Sequence, residues 1–493
     1  MSEPFQGHTP GLLADRPSRA LDLEEFRSNG HLLVDWIADY LKDLGERPVC
    51  EPTAPGDVRA QLPRRAPEQP EPFSEVLSDL EQVIVPALAH WQHPGWFAYF
   101  PAMSSPASVL GELAAAGLGV QGMMWSSSPA LTELEAHVLD WLVDLMGLPQ
   151  GWKTSAAGGG TLTSGASSST HIAMVAARET CRGRTGAPIE QMVAYTSGQS
   201  HSSVEKGARI AGFGHIRLLD TDHDFAVKPG ALNSAICQDR RLGLTPASVI
   251  SALGTTGTTA VDPIAHMGDI ATRERLWHHV DAAYAGSAMI CEEFRHHLAG
   301  VELADSYTFN PHKWLATNLD CSVLWVADRK PLIDAMSIEP PYLRNSASDS
   351  GQVIDYRNWG VSLGRPFRAL KLWFVLRDHG AEGLRQLIRN HRTWAEDLST
   401  RIDNHSSLTL IAPTTFALVS FAHVDGDAAT RALAQTINDS GRFFVTVSES
   451  DTGAYIRIAI GSTWTSRRHI DSLWRFIEAN ALQTAETPTR ERH

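Results

Sequence analysis

With 493 residues, 43% of them apolar, the chain is too long for one ordinary core and holds enough material for two or three domains. Its 42 basic and 56 acidic residues give a formal charge of −14, which disfavours non-specific binding to nucleic acid or a membrane surface. Five cysteines without CxxC spacing fit reduced thiols rather than a disulfide framework or a zinc site, and no basic-then-apolar leader or run of about eighteen uncharged apolar residues occurs, so a cytoplasmic protein is expected.

From Leu23 to Leu44 the residues Leu23, Phe26, Leu33, Ile37, Tyr40, Leu41 and Leu44 recur at helical spacing, while Leu32, Val34 and Trp36 add apolar surface off that stripe. A helix with two apolar faces needs two surfaces to pack on. Seven prolines between Pro48 and Pro72 predict an extended connection. Residues 1–104 are therefore expected to form an N-terminal arm. Gly158-Gly-Gly160 lacks GxGxxG spacing and a P-loop lysine, and is read as flexible loop.

The middle of the chain, residues 105–370, alternates short β-rich runs with longer helical patterns. The runs are Gln191–Tyr195, Ser248–Ala252, Trp277–Val280 and Ser322–Val326, and they predict an α/β domain with a largely parallel sheet. His201, Thr256 and Asp281 fall just past the ends of such strands, where open α/β sheets place their ligands. Residues 371–493 read as a smaller α+β domain with strands at Phe416–Phe421 and Tyr455–Ile460. Trp36, Trp125, Trp141, Trp359 and Trp373 are read as core. The pairs His278-His279 and His296-His297 have no third ligand at metal-site spacing, and no metal is expected.

The most informative residue is Lys313, in Ser306-Tyr-Thr-Phe-Asn-Pro-His-Lys-Trp314, thirty-two positions after the Asp281 of Val280-Asp-Ala-Ala-Tyr-Ala-Gly286. Pyridoxal phosphate needs a lysine amine to hold its aldehyde and a carboxylate beside its ring nitrogen to keep that nitrogen protonated. Lys313 and Asp281 suit those two tasks. Phosphate is bound best by small residues at a helix N-terminus, where unpaired N–H groups and the helix dipole favour an anion. Ser164-Gly-Ala-Ser-Ser-Ser-Thr170, ahead of the helical run Ile172–Arg178, provides such a turn.

These blocks, with Phe97-Ala-Tyr-Phe-Pro101, Ser128–Glu135 and His201-Ser-Ser-Val-Glu-Lys206, resemble the group II pyridoxal-phosphate decarboxylases, and within them the aromatic L-amino-acid decarboxylases, from about Phe26 to Ile477. The resemblance implies the type I, aspartate-aminotransferase-like α/β fold and a homodimer with active sites at the subunit interface, the arm packing on the partner. It implies Lys313 as the anchoring lysine, Asp281 at the ring nitrogen, Ala283 and Thr256 beside the ring, and His201 stacked on it near the substrate carboxylate. Ala166, Ser167, Asn310 and His312 complete the implied cofactor set. Tyr342, in a proline-broken stretch expected to be a mobile loop, matches the acid that protonates the substrate carbon.

Trp91, Tyr99, Phe100 and Pro101 match the aromatic wall of the family's substrate pocket. Gln121 and Met123 match positions contributed across the dimer, and Gly364 a position where plant relatives with glycine tend towards indolic substrates and those with serine towards phenolic ones. The expected reaction is conversion of tryptophan, tyrosine, phenylalanine or DOPA to amine and carbon dioxide. Alternatives are aldehyde synthesis, favoured in relatives with Phe at the Tyr342 position, a non-aromatic substrate, and a non-catalytic homologue.

Overall fold

The computed structural model describes residues 22–338, 353–451 and 453–482. Their contacts form two compact units, one ending at His90 and one beginning at Trp91. In the first, the predicted helix forms as Leu23–Asp43. Asp22 caps it by accepting from the N–H groups of Glu24 and Glu25 at 3.0 and 2.9 Å, and Glu24 and Glu25 complement the positive end of its dipole. No residue of this helix is buried in the single chain; Leu23 and Phe26 are 69% and 68% exposed.

The second unit is built on a seven-stranded sheet: β1 (Gly159–Thr163), β2 (Met192–Ser197), β3 (His215–Leu219), β4 (Thr245–Ala252), β5 (Trp277–Asp281), β6 (Ser306–Phe309) and β7 (Ser322–Val326). Their order across the sheet is β1-β7-β6-β5-β4-β2-β3. Only β7 runs against its neighbours; the β6-β5-β4-β2-β3 pairings are all parallel. Such a sheet is covered on both faces by helices, so its strands are buried along their whole length, as β1, β2, β5, β6 and β7 are.

Four of these strands match the predicted runs within a few residues. The Gly158–Gly160 reading was wrong: Gly159 and Gly160 begin β1, paired with Val326 and Trp325 of β7. A Cβ on Gly160 would lie 2.6 Å from the Trp325 ring, and one on Gly158 would lie 2.5 Å from the Val326 carbonyl oxygen. These glycines are there for close packing, which period-2 alternation does not reveal.

Towards the C-terminus a long helix, Arg368–Asp403, bends at Gly380, whose φ of 64° is left-handed. It leads into an antiparallel sheet of β8 (Leu408–Leu410), β9 (Leu418–His423), β10 (Thr446–Ser450) and β11 (Gly453–Ala459), in the order β10-β11-β9-β8. The predicted runs gave β9 and β11; β8 is three residues long and β10 is polar, so neither carries an apolar signal. Of the five tryptophans read as core, Trp359 is buried and the other four are partly exposed. Trp141 and Trp373 still pack against the main core.

Candidate active site

Strand register assembles the site. Asp281 ends β5 opposite Ala252 of β4 and Thr308 of β6. The ladder continues past the strand ends: Ala282 donates to Thr308 O at 2.9 Å and Asn310 to Ala283 O at 3.0 Å. Asn310 therefore sits beside Ala283, and the Lys313 N–H donates back to Asn310 O at 2.9 Å in the short helix Pro311–Trp314. Phe100, His201, Thr256, Asp281, Ala283, Tyr284 and Lys313 line one cavity at the C-terminal ends of β2, β4, β5 and β6.

The electrostatics suit an amine that must act as a nucleophile. Burial pushes the Lys313 ammonium below its usual range, with Asp281 opposing and Arg457 adding to the shift. Its Nζ lies 5.1 Å from the centroid of the Phe100 ring. That ring stacks on Tyr284 at 4.0 Å, and Tyr284 stacks on Trp314 at 4.7 Å. The Trp314 indole N–H donates to His391 Nδ1 at 3.0 Å, which locks the stack from behind.

His201 caps the helix Ser202–Ile210: its Nδ1 accepts the Ser203 N–H at 3.1 Å. A neutral ring in that tautomer carries its proton on Nε2. Burial first, and Lys313 second, hold His201 below the usual histidine range, with Asp281 opposing. Asp281 Oδ1 accepts the Ala283 N–H at 3.0 Å, which leaves Oδ2 available to a further donor.

The helix Ala166–Thr185 starts at Gly165 with no side-chain cap, and its first N–H groups bonded to Gly165 O are those of Ser168 and Ser169. The N–H groups of Ala166 and Ser167 are thus left for an anion. The Asn310 side-chain oxygen is buried without a hydrogen-bond partner, an acceptor open to a donor rather than to an anion. A cofactor with a phosphate, a ring nitrogen and an aldehyde fits these groups. His312 Nδ1 accepts the Cys321 N–H at 2.9 Å, and burial takes the ring down to about 4.

The substrate-wall residues fall into separate groups. Phe100 lines the Lys313 cavity, and Pro101 is buried next to it in sequence, packed on Gly461. Trp91 and Tyr99 stack at 5.5 Å outside that lining, Tyr99 with a left-handed φ of 58°. Gly364 lines a second cavity with Ser164, Ser168, His171, Tyr356 and Arg365, and Gln121 reaches to within 3.9 Å of where a Gly364 Cβ would be. Met123 is tied to the same region through its carbonyl, which accepts the Arg357 N–H at 2.9 Å. Tyr342 lies outside the described residues.

Two features escaped the sequence reading. Tyr284 stacks under Phe100, and Arg457, on β11, brings a buried cation to the same ring at 5.3 Å. An arginine at an inward register of the apolar run Tyr455–Ile460 was the available signal. The pair His278-His279 is structural: His278 bonds Ser251 Oγ at 2.7 Å and His279 bonds Ser306 Oγ at 2.9 Å. Among the described residues no cluster of His, Cys, Asp and Glu is placed to hold a metal ion, and no described helix is long and apolar enough to cross a membrane.

A mostly parallel seven-stranded sheet with a lysine and a buried carboxylate in one cavity at its C-terminal edge defines a type I pyridoxal-phosphate enzyme. Residues 55–424 match the pyridoxal-dependent decarboxylase conserved domain, and the chain belongs to that family of carboxy-lyases. It is 41% identical to a phenylacetaldehyde synthase of Arabidopsis thaliana over 475 residues, 94% of this chain and 97% of the relative. It is also 41% identical to tyrosine decarboxylase 2 of Narcissus pseudonarcissus, over 94% of this chain and 95% of the relative. The structure of Oryza sativa TDC with PLP and tryptamine superposes with a TM-score of 0.93 at 36% identity, covering 95% of this chain and 99% of that one.

Proposed function

We propose that this enzyme decarboxylates an aromatic L-amino acid to the corresponding amine, with Lys313, Asp281, His201 and Tyr342 as its catalytic residues. The observation that carries the reading is the Lys313 cavity, where a partly buried lysine sits with Asp281 and His201 against the Phe100 ring. The resemblance to the tyrosine decarboxylase and the tryptamine-bound TDC supports an aromatic substrate.

When bound, pyridoxal phosphate supplies an aldehyde that condenses with amines and a protonated ring that accepts the electron pair released as carbon dioxide leaves. The residues of the chain do the rest. Lys313, with its ammonium disfavoured by burial, would hold the cofactor through its aldehyde. Asp281 would keep the ring nitrogen protonated, with Ala283 and Thr256 beside the ring. The Ala166 and Ser167 N–H groups and the Asn310 side-chain NH2 would receive the phosphate, while His312 braces the turn that carries Lys313. His201 would lie against the ring, with its Nε2 proton available to the substrate carboxylate. Tyr342 would return a proton to Cα.

Trp91, Tyr99, Phe100 and Pro101 would face the substrate from this subunit, and Gln121, Met123 and Gly364 from the partner in a homodimer. Two features support that assembly. Gln121 and Gly364 neighbour each other away from the Lys313 cavity, and the helices Leu23–Asp43 and Pro106–Leu118 leave Leu23, Phe26, Leu110, Leu113 and Leu118 exposed. In the same reading residues 1–104 form the arm, 105–370 the cofactor domain and 371–493 the small domain. Five free cysteines fit a reducing, cytoplasmic setting.

The test is mass-spectrometric product analysis after incubating the cofactor-loaded enzyme with L-tryptophan, L-tyrosine, L-phenylalanine and L-DOPA separately. Amine with equimolar carbon dioxide is expected. Aldehyde with ammonia and hydrogen peroxide would move the enzyme to the second reading, which the similarity to a phenylacetaldehyde synthase favours. In the first reading Tyr342→Phe shifts the products from amine towards aldehyde.

A further inference from the structure

Arg457 is buried at 4% exposure in β11, between Ser420 of β9 and Thr446 of β10. Its guanidinium donates from Nε to Gly257 O at 3.1 Å, from Nη2 to Thr256 O at 2.6 Å and from Nη1 to Thr446 Oγ1 at 3.2 Å. Its Cζ lies 5.3 Å from the Phe100 centroid. Among the described residues no carboxylate forms an ion pair with it.

Arg365, the other deeply buried arginine that shares its charge with an aromatic ring, pairs with Glu135 at 2.6 Å and joins the helix Pro129–Met146 to β1. A buried cation without an acid is costly and persists where several acceptors satisfy it at once. Arg457 spends its fork on two consecutive carbonyls of the turn that follows β4. Ser420 Oγ adds a donor to Gly257 O at 3.3 Å, so the small sheet grips that turn twice. The turn has little other freedom: Gly254 holds a φ of 89°, and a Cβ there would lie 2.7 Å from Ala285 Cβ.

We propose that Arg457 is a positioning residue of the active site: from the small sheet it fixes the Thr256-Gly257 turn and the Phe100 ring, and so sets Thr256 against the bound cofactor. This rests on the reading of the Lys313 cavity as the pyridoxal-phosphate site. The planar fork, more than the charge, carries the effect, because lysine cannot donate to both carbonyls and Thr446 from one rigid plane.

The experiment compares holoenzymes carrying Arg457→Lys, Arg457→Gln, Thr256→Ala and Thr256→Ala with Arg457→Lys. Cofactor dissociation followed by absorbance, kcat, KM and melting temperature are read for each. Both Arg457 variants are expected to lose kcat by about tenfold or more, as a misplaced group does, and to release cofactor more readily. Arg457→Lys should cost less in the Thr256→Ala background than in the wild type, because the two act through one turn. The proposal is overturned if Arg457→Lys stays within about twofold of wild type, if its effect multiplies fully with that of Thr256→Ala, or if it fails to fold, which would assign Arg457 to the fold alone. A wild-type protein that never binds pyridoxal phosphate overturns the underlying reading as well, an outcome distinct from the other three.

Discussion

The cavity around Lys313 and the cavity around Gly364 differ in how they are held. In the first, Asp281, Ala283, Asn310 and Lys313 are linked by a continued β5–β6 ladder, so one chain fixes the cofactor-facing groups to the sheet backbone. In the second, Gly364 sits on a connecting segment and faces β1 and the first turns of the helix Ala166–Thr185, with Gln121 beside it on another connection, and Phe100 and Lys313 are not in the lining. On the proposed reading, reaction chemistry rests on strand ends, which vary little in position, and the substrate-choosing residues Gln121, Met123 and Gly364 sit on loops that can change without disturbing them.

The largest break of the comparison is Lys313→Ala, which should lower amine formation on the order of 1000-fold or more while leaving the melting temperature of the cofactor-free protein nearly unchanged. Retention of more than about a tenth of the turnover would detach the chemistry from this cavity. Asp281→Asn should cost about 100-fold in kcat at unchanged cofactor content, because the charge that holds the ring proton is lost. Steady-state kinetics beside cofactor quantification separates that result from simple loss of binding.

Gly364→Ser addresses the other cavity and should change selectivity rather than chemistry. The ratio of kcat/KM for tryptophan over tyrosine is expected to fall by about tenfold, within the range one small group contributes. Equal losses on both substrates would remove Gly364 from the wall.

The smallest effect concerns acid stability. Burial takes His278 down to about 3, His279 and His312 to about 4 and His391 to about 3, against 6.5 for an unperturbed histidine. The unfolded chain therefore binds protons at these sites that the folded one refuses, and stability falls as pH drops below about 6.5. Burial raises Asp262 and Asp305 to about 6 from 3.8, so their cost above pH 6 is relieved on acidification, with the opposite sign. Four histidines outweigh two carboxyls, and the urea midpoint should be lower at pH 5.5 than at pH 7.5. An unchanged or higher midpoint would contradict neutral burial of His278 and His279.

Much of the large sheet was legible because β2, β4, β5 and β7 are short apolar runs between helical patterns. β1 was hidden by its glycines and β3 by its polar, half-exposed edge position. The Lys313 and Asp281 neighbourhood was legible because few side chains can do what that cofactor requires. Arg457 was not, since a charge inside an apolar strand marks burial without saying what it holds; only the fold brings the Tyr455–Ile460 run to the Thr256 turn.

The most direct measurement is borohydride reduction of the cofactor-loaded enzyme followed by peptide mapping. The account requires a phosphopyridoxyl group on the peptide containing Asn310-Pro-His-Lys-Trp314, attached at Lys313. A label on another lysine, or a fully loaded enzyme that yields no labelled peptide, would contradict it.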